Sequence, residues 1–457
     1  MRALIICALA AAVLVGCTTA PTLPVPEHEV IGVTDALLTA DYWIKRAARA
    51  ERIALDRAQI ASQNAKLLST DASVREIRKL PETLTGAHVR RWIEKLSSRP
   101  SGTIYDQHGA EVSSATLDAL ATSLNLDAIP SSQSTRFGMV VKRADLRTFP
   151  TRLRVFSSKG DTDIDRFQES ALFPGAPVAV VHASRDGEWL FVVNDFYAAW
   201  IERTAVAEGA KDEIFGYGEQ HPYLVVTGAH ARTVFTPEAP AVSELQLDMG
   251  VRVPLLADWP AKKSVNGQHP YAAHIIRLPV RNEDGSLTFS PALLPKTADV
   301  ASDYLPLNDA NVVPQALKFL GERYGWGHSY NARDCSGFVS EVYRSFDVRM
   351  PRNTRDQGVS PAFTRIELTQ ADSHQRRLDI LRTLRIGDLV YIPRHVMMVI
   401  GHDHGVPYVI HDTVGITYRN DGQLVRVPLN GVSVTPLTPL LLGEDRPMID
   451  SIYSIVQ

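Results

Sequence analysis

Cysteine is nearly absent from this chain. Its 457 residues contain three, and two of them, Cys7 and Cys17, lie in an N-terminal stretch that reads as a secretion signal. A body with Cys335 as its one thiol cannot form an internal disulfide, and no second sulfur exists for a thiolate zinc site. The histidines do not make up for this, because none of those near Cys335 follows helical i, i+4 spacing, so no metal site is expected. An excess of one charge is lacking too. The net charge of −3 offers no electrostatic footprint for nucleic acid or for an anionic membrane surface. Long hydrophobic runs are also missing. The run from Ala3 to Val15, after Met1-Arg2, is too short to span a bilayer and has the charged start and apolar middle of a signal peptide. What is present is globular: 22% charged and 45% hydrophobic residues, enough for sizeable cores and, at this length, about three domains.

The informative residues surround Cys335. Tyr324-Gly325-Trp326-Gly327-His328 is a tight Gly-rich turn, and Asp334-Cys335-Ser336-Gly337-Phe338 follows it. Phe338, Val339, Val342, Tyr343 and Phe346 recur at helical spacing, so Ser336 to Phe346 reads as an amphipathic helix with Cys335 at its start. Free N–H groups and the positive end of the helix dipole favour a thiolate there, and the same donors suit the oxyanion of an acyl intermediate. Downstream, Gly387 to Pro393, His395 to Gly401 and Val406 to Asp412 read as three strands. A hairpin of the last two brings His395 and His411 together, His395 as base for the thiol and His411 as its orienting partner.

These residues resemble the NlpC-type, papain-like cysteine peptidases that cleave bacterial cell-wall peptides. The resemblance rests on Tyr324-x-Trp326-Gly327, Asp334 to Phe338, Pro351-Arg352, Gly387 to Val390, His395-Val396 and His411, and covers roughly residues 305–457 of the chain. It implies a Cys335 nucleophile, a His395 base, a His411 partner, and Tyr324 as the active-site tyrosine. His328 stands where the family has a second glycine, and Met397-Met398 replaces a Gly-aliphatic pair; either could narrow the cleft. The segment Phe363 to Leu384 is long and charged, and is expected to form a flap.

The chain therefore divides as follows: a signal and lipobox (1–17), a Thr- and Pro-rich tether (18–29), a helical region (30–130), two SH3-like barrels (131–215 and 216–300) and the peptidase domain (301–457). The fold class is α+β. The helical periodicity is clearest from Trp43 to Leu68. The barrels are marked by short β-rich runs between turns, with Asp186 to Trp189 and Asn282 to Gly285 as hairpin turns. Leu14-Val15-Gly16-Cys17 resembles the lipobox of bacterial lipoproteins, which implies cleavage before Cys17 and lipid on its sulfur and amine. Several acyl chains on one residue anchor stably. Thr18 in place of an aspartate favours the outer membrane. The expected location is thus the bacterial cell envelope, lipid-anchored after export, with the outer membrane or periplasm favoured.

Relatives that join SH3-like domains to such a peptidase typically cut stem peptides with a free N-terminal L-alanine, between γ-D-glutamate and the diamino acid. The resemblance then implies that Asp334 meets the substrate amine, although an N-cap role suits the same position. It also implies that Thr354 contacts substrate, and that an acidic and a tyrosyl residue of the first barrel, assigned as Glu169 and Tyr197, complete the pocket. No cofactor is implied, and the partners are peptidoglycan stem peptides or muropeptides. An amidase or acyltransferase on the same scaffold, or an inactive wall-binding lipoprotein, are the alternatives. The intact Cys335, His395, His411 set argues against the last.

Overall fold

The computed structural model describes residues 23–457. The signal segment and Cys17 lie outside the described residues. No helix among the described residues is long and apolar enough to cross a membrane.

The helical region does not fold as one unit. The periodicity from Trp43 to Leu68 breaks into two helices, Ala40–Ile44 and Arg57–Thr70, because Asp56 starts the second with a reciprocal capping box to Gln59. Val33, Leu37, Trp43, Ile60 and Leu67 enter the same core as the peptidase residues Phe338, Met398 and Tyr408. Gly401, with φ +147°, leaves room for the Trp43 ring, which a Cβ would meet at 2.7 Å. By contrast, the helices Gly86–Leu96 and Ser114–Ser123 supply Val89, Ile93 and Leu120 to a core shared with Phe137, Phe191 and Trp200. So the N-terminal hundred or so residues are two clamps, one on each neighbouring domain, since neither half carries enough apolar surface to bury alone.

Seven antiparallel strands between Arg136 and Gly209 form the first β unit, in the order Val206–Gly209, Arg136–Val140, Pro177–Ala183, Trp189–Val193, Ala198–Glu202, Ala144–Arg147, Gln168–Leu172. The second unit is built from a three-stranded sheet centred on Tyr223–Val226 and from two hairpins, the longer pairing Ala273–Arg281 with Leu287–Pro295. It has a core of its own around Leu224, Leu247 and Ile276.

The C-terminal domain is a six-stranded sheet in the order Arg365–Glu367, Ser454–Val456, Leu389–Ile392, His395–Asp403, Val406–Thr413, Gly431–Pro436. The helix Cys335–Arg344 packs on one face through Phe338, Val339 and Val342. The segment from 363 to 384 is not a flap. Leu368, Leu381 and Leu384 pack on the opposite face with Val390 and Met397, and buried Arg377 holds the carbonyls of Thr369, Ile449 and Ile452. Arg376 and Asp379 lie on the exposed side of one short helix, His374–Leu381. Met397 and Met398 point to opposite cores and are both fully buried, so they fill the body of the domain.

Candidate active site

The turn that delivers the nucleophile is shaped by its neighbour. A Cβ on Gly325 would lie 2.4 Å from the Ser329 carbonyl oxygen, and one on Gly327, at φ +57°, would press on Gln168 and Glu169 at about 3 Å. The first β unit therefore docks directly on the Gly-rich turn. Trp326 Nε1 donates to the Gln168 carbonyl (3.0 Å), and Gln168 Nε2 donates to the Gly327 carbonyl (2.8 Å). His328, Tyr330 and Asn331 adopt left-handed φ values of 67°, 62° and 58°, which these contacts and Arg143, donating to the His328 and Ala332 carbonyls, hold in place.

Cys335 is the first residue of its helix, and Asp334 is the N-cap, accepting the Gly337 N–H at 2.8 Å. Among the described residues the Cys335 and Ser336 N–H groups have no acceptor, which leaves two donors at the positive helix end for an oxyanion. The sulfur lies 3.7 Å from Thr354 Oγ1 and 4.0 Å from the carbonyl oxygen of Arg394, the residue that precedes His395 in the chain. Burial, with the Asp334 charge adding to it, pushes the thiol up to about 12. This reverses the direction expected from the helix end: with 5% exposure, desolvation outweighs the dipole, and the resting residue is a thiol.

The hairpin brings the two histidines together as expected. His395 Nε2 and His411 Nδ1 are 2.7 Å apart, and His411 Nε2 lies 3.0 Å from Thr435 Oγ1 on the next strand. Burial pushes His395 down to about 4 and His411 well below its usual range. Both imidazoles are thus neutral at neutral pH, each able to donate from one nitrogen and accept at the other.

The expectation that Asp334 receives a substrate amine requires correction. Its two oxygens already accept from the N–H groups of Gly337 and Gly327, the Ser336 hydroxyl and the Arg352 fork, the closest of these at 2.7 Å. With Arg352 beside it, the carboxyl is held down at about 2 despite burial, and it has no lone pair left for a further cation. Tyr324 is buried beside the nucleophile, and burial with the nearby Cys335 raises its hydroxyl. The residues assigned on the first β unit do meet each other. Tyr197 OH donates to Glu169 Oε2, and Thr148 Oγ1 donates to Glu169 Oε1 at 2.6 Å. Arg352 links this pair to the nucleophile, donating to Ser170 Oγ at 2.7 Å as well as to Asp334.

Three residues shape the site in ways the sequence reading did not assign. Arg352 was visible only as part of a motif. His328 is buried, bonding Glu341 at 3.0 Å and facing Arg352 at 3.3 Å, so it fills the space behind Asp334. Arg333 is fully buried and donates to Glu341, Glu322 and Asp248, the last from the second β unit. Residues 321–436 match the NlpC/P60 family, and residues 154–202 match the SH3 domain of SH3b1 type. The C-terminal unit is an NlpC/P60 cysteine peptidase domain.

The chain is 25% identical over 299 residues to the gamma-D-glutamyl-L-lysine dipeptidyl-peptidase of Bacillus cereus, covering 62% of this chain and 74% of that one. The NlpC/P60 endopeptidase of Photobacterium damselae subsp. piscicida superposes with a TM-score of 0.70 at 16% identity, over 89% of this chain and 94% of that one. That likeness establishes a shared fold over nearly the whole length. The NlpC/P60 domain and its SH3 partner fit peptides derived from peptidoglycan as substrates.

Proposed function

We propose that this protein hydrolyses short peptidoglycan stem peptides between γ-D-glutamate and the diamino acid, selecting stems with a free N-terminal L-alanine, while held in the cell envelope by lipid on Cys17. The observation that carries the substrate reading is the Glu169–Tyr197 pair, with Glu169 on the barrel strand that docks against the nucleophile turn and Tyr197 just before the strand Ala198–Glu202. Glu169 is half-buried, and among the described residues its carboxyl oxygens accept only from the hydroxyls of Thr148 and Tyr197, an arrangement suited to an ammonium group. Glu169 and Thr148 also line a cleft of about 440 Å³ together with residues of the loop 98–104. The relative in Bacillus cereus, named for a γ-D-glutamyl bond, is in keeping with this reading.

The chemistry follows from the side chains. Cys335 gives its proton to His395, and the thiolate adds to the γ-carbonyl carbon. The helix-end N–H groups receive the oxyanion. The C–N bond then breaks, and His395 returns the proton to the departing amine. Water hydrolyses the thioester, with His395 as base, and His411 keeps the ring oriented throughout.

Purified protein should cleave L-Ala-γ-D-Glu-L-Lys or its diaminopimelate counterpart, and Cys335→Ala should abolish cleavage without changing the thermal midpoint. Turnover by the alanine variant would exclude the covalent route. N-acetylation of the substrate should cost at least tenfold in kcat/KM; equal rates on free and blocked peptide would leave a general wall hydrolase. Labelled fatty acid should enter the wild type and not Cys17→Ser, and equal labelling would refute the anchor.

A further inference from the structure

Both ring nitrogens of His411 are hydrogen-bonded, one to the base and one to a hydroxyl on the next strand. Nδ1 lies 2.7 Å from His395 Nε2, and Nε2 lies 3.0 Å from Thr435 Oγ1. Strand register puts Thr435 there: His411 pairs with Ser433, and Thr435, two residues on, faces the same side of the sheet. Ser433, directly opposite the imidazole, donates instead to the Gly431 carbonyl at 3.1 Å. His411 and Thr435 are both fully buried. Valine has the same branched shape as threonine and as strong a strand preference, and it has no polar atom to bury. A buried hydroxyl is costly unless it is bonded. Among the described residues, His411 is the one hydrogen-bond partner of Thr435 Oγ1.

The 2.7 Å contact between the two imidazoles has room for one hydrogen, carried by one ring and accepted by the other. If His411 carries it on Nδ1, His395 accepts at Nε2, and a neutral His395 holds its own hydrogen on Nδ1. That nitrogen then cannot take the thiol proton. If His395 carries it on Nε2, its Nδ1 lone pair is free for the proton of Cys335. The hydrogen of a neutral His411 then sits on Nε2, where it needs an acceptor. Among the described residues the Thr435 oxygen is the one acceptor at that nitrogen. Only the second arrangement serves a base.

We propose that Thr435 is a positioning residue of the peptidase: its hydroxyl oxygen accepts the Nε2–H of His411 and so keeps the His411 Nδ1 lone pair turned on His395. The inference rests on His395 acting as the base for Cys335. When the S–H bond breaks, the proton goes to His395 Nδ1 and the electron pair stays on sulfur. The imidazolium donates from Nε2 to His411, whose acceptor strength is raised by its own bond to Thr435. When the amine leaves, the proton passes from His395 Nδ1 to the departing nitrogen, and the bonds from His395 to Thr435 are unchanged. A valine at this position would leave the His411 Nε2–H buried without an acceptor. His411 would then carry its hydrogen on Nδ1 and point it at the base.

NMR of the intact protein with isotopically labelled histidine nitrogens reads the tautomers without any substrate. In the wild type, His395 and His411 should each carry the hydrogen on Nε2; a hydrogen on Nδ1 of His411 would overturn the proposal whatever the variants do. Thr435→Val should move the His411 hydrogen to Nδ1, and Thr435→Ser, which keeps the hydroxyl, should hold it on Nε2. Alkylation of Cys335 by iodoacetamide near neutral pH should slow about threefold or more in the valine variant and recover in the serine variant. On stem peptide, kcat should fall about tenfold or more in Thr435→Val at nearly unchanged KM, with the thermal midpoint retained. Equal losses in the valine and serine variants would mean that only packing matters and would overturn the proposal. A folded Thr435→Val protein with the wild-type tautomer and alkylation rate would do the same. If no form cleaves the peptide while tautomer and alkylation still follow the hydroxyl, the substrate reading fails and this inference stands.

Discussion

The two small β units give the peptidase domain different things. The first brings Glu169 and Tyr197 close to the Gly-rich turn before Cys335, half-exposed and joined by hydroxyl hydrogen bonds. The second sends Asp248 to the rear of the nucleophile helix, where it meets Arg333 at 2.8 Å with both side chains fully buried. Arg143 of the first unit reaches the same carboxylate at 3.4 Å, so the three domains meet around one buried charge cluster. Burial separates the two roles. An acid with open solvent on one side keeps acceptor capacity for a ligand, whereas an acid sealed against guanidinium groups can only brace the fold.

Substitutions on either side of this contrast should separate stability from catalysis. The largest effect is expected from Asp248→Ala, which removes one of the three carboxylates of Arg333 and the buried ion-pair partner of Arg143. Loss of one partner from a buried pair costs about 3–5 kcal/mol, so the urea midpoint should fall sharply while the surviving protein keeps its preference for a free amine. A lost preference at unchanged stability would put Asp248 in the substrate pocket instead. Next comes Glu169→Gln, expected to lower kcat/KM on free-amine peptide by about tenfold or more, with little change on the N-acetylated one and in the thermal midpoint. Equal losses on both peptides would mean that Glu169 only joins the domains.

The smallest effect concerns pH. His395 is held near 4 in the folded protein, against 6.5 for an unperturbed imidazole. Between these values the unfolded chain binds a proton that the folded one does not, so stability is complete above 6.5 and is lost as pH falls toward 4. His395→Gln should flatten the pH dependence of the urea midpoint in that window. An unchanged slope would mean that the imidazole is charged in the native state.

Much of the site was legible because it is local. A cysteine at the head of an amphipathic run, an N-capping aspartate, and two apolar strands carrying a histidine each are features of short windows, where periodicity and capping operate. The sequence alone thus marked Cys335 at a helix start and the two histidines that one hairpin brings together. It could not determine the charge state of Cys335, because the helix end is a local property and desolvation is a property of everything packed around it. Nor could it reveal that Asp334 is saturated by Arg352, that Arg333 draws a carboxylate from a separate domain, or that the helical region splits between two hosts. Those facts depend on contacts between residues far apart in the chain, such as Arg333 and Asp248 or Trp43 and Gly401. Only the closed tertiary structure sets which charges share a buried space, and burial there decides whether an acid binds or braces.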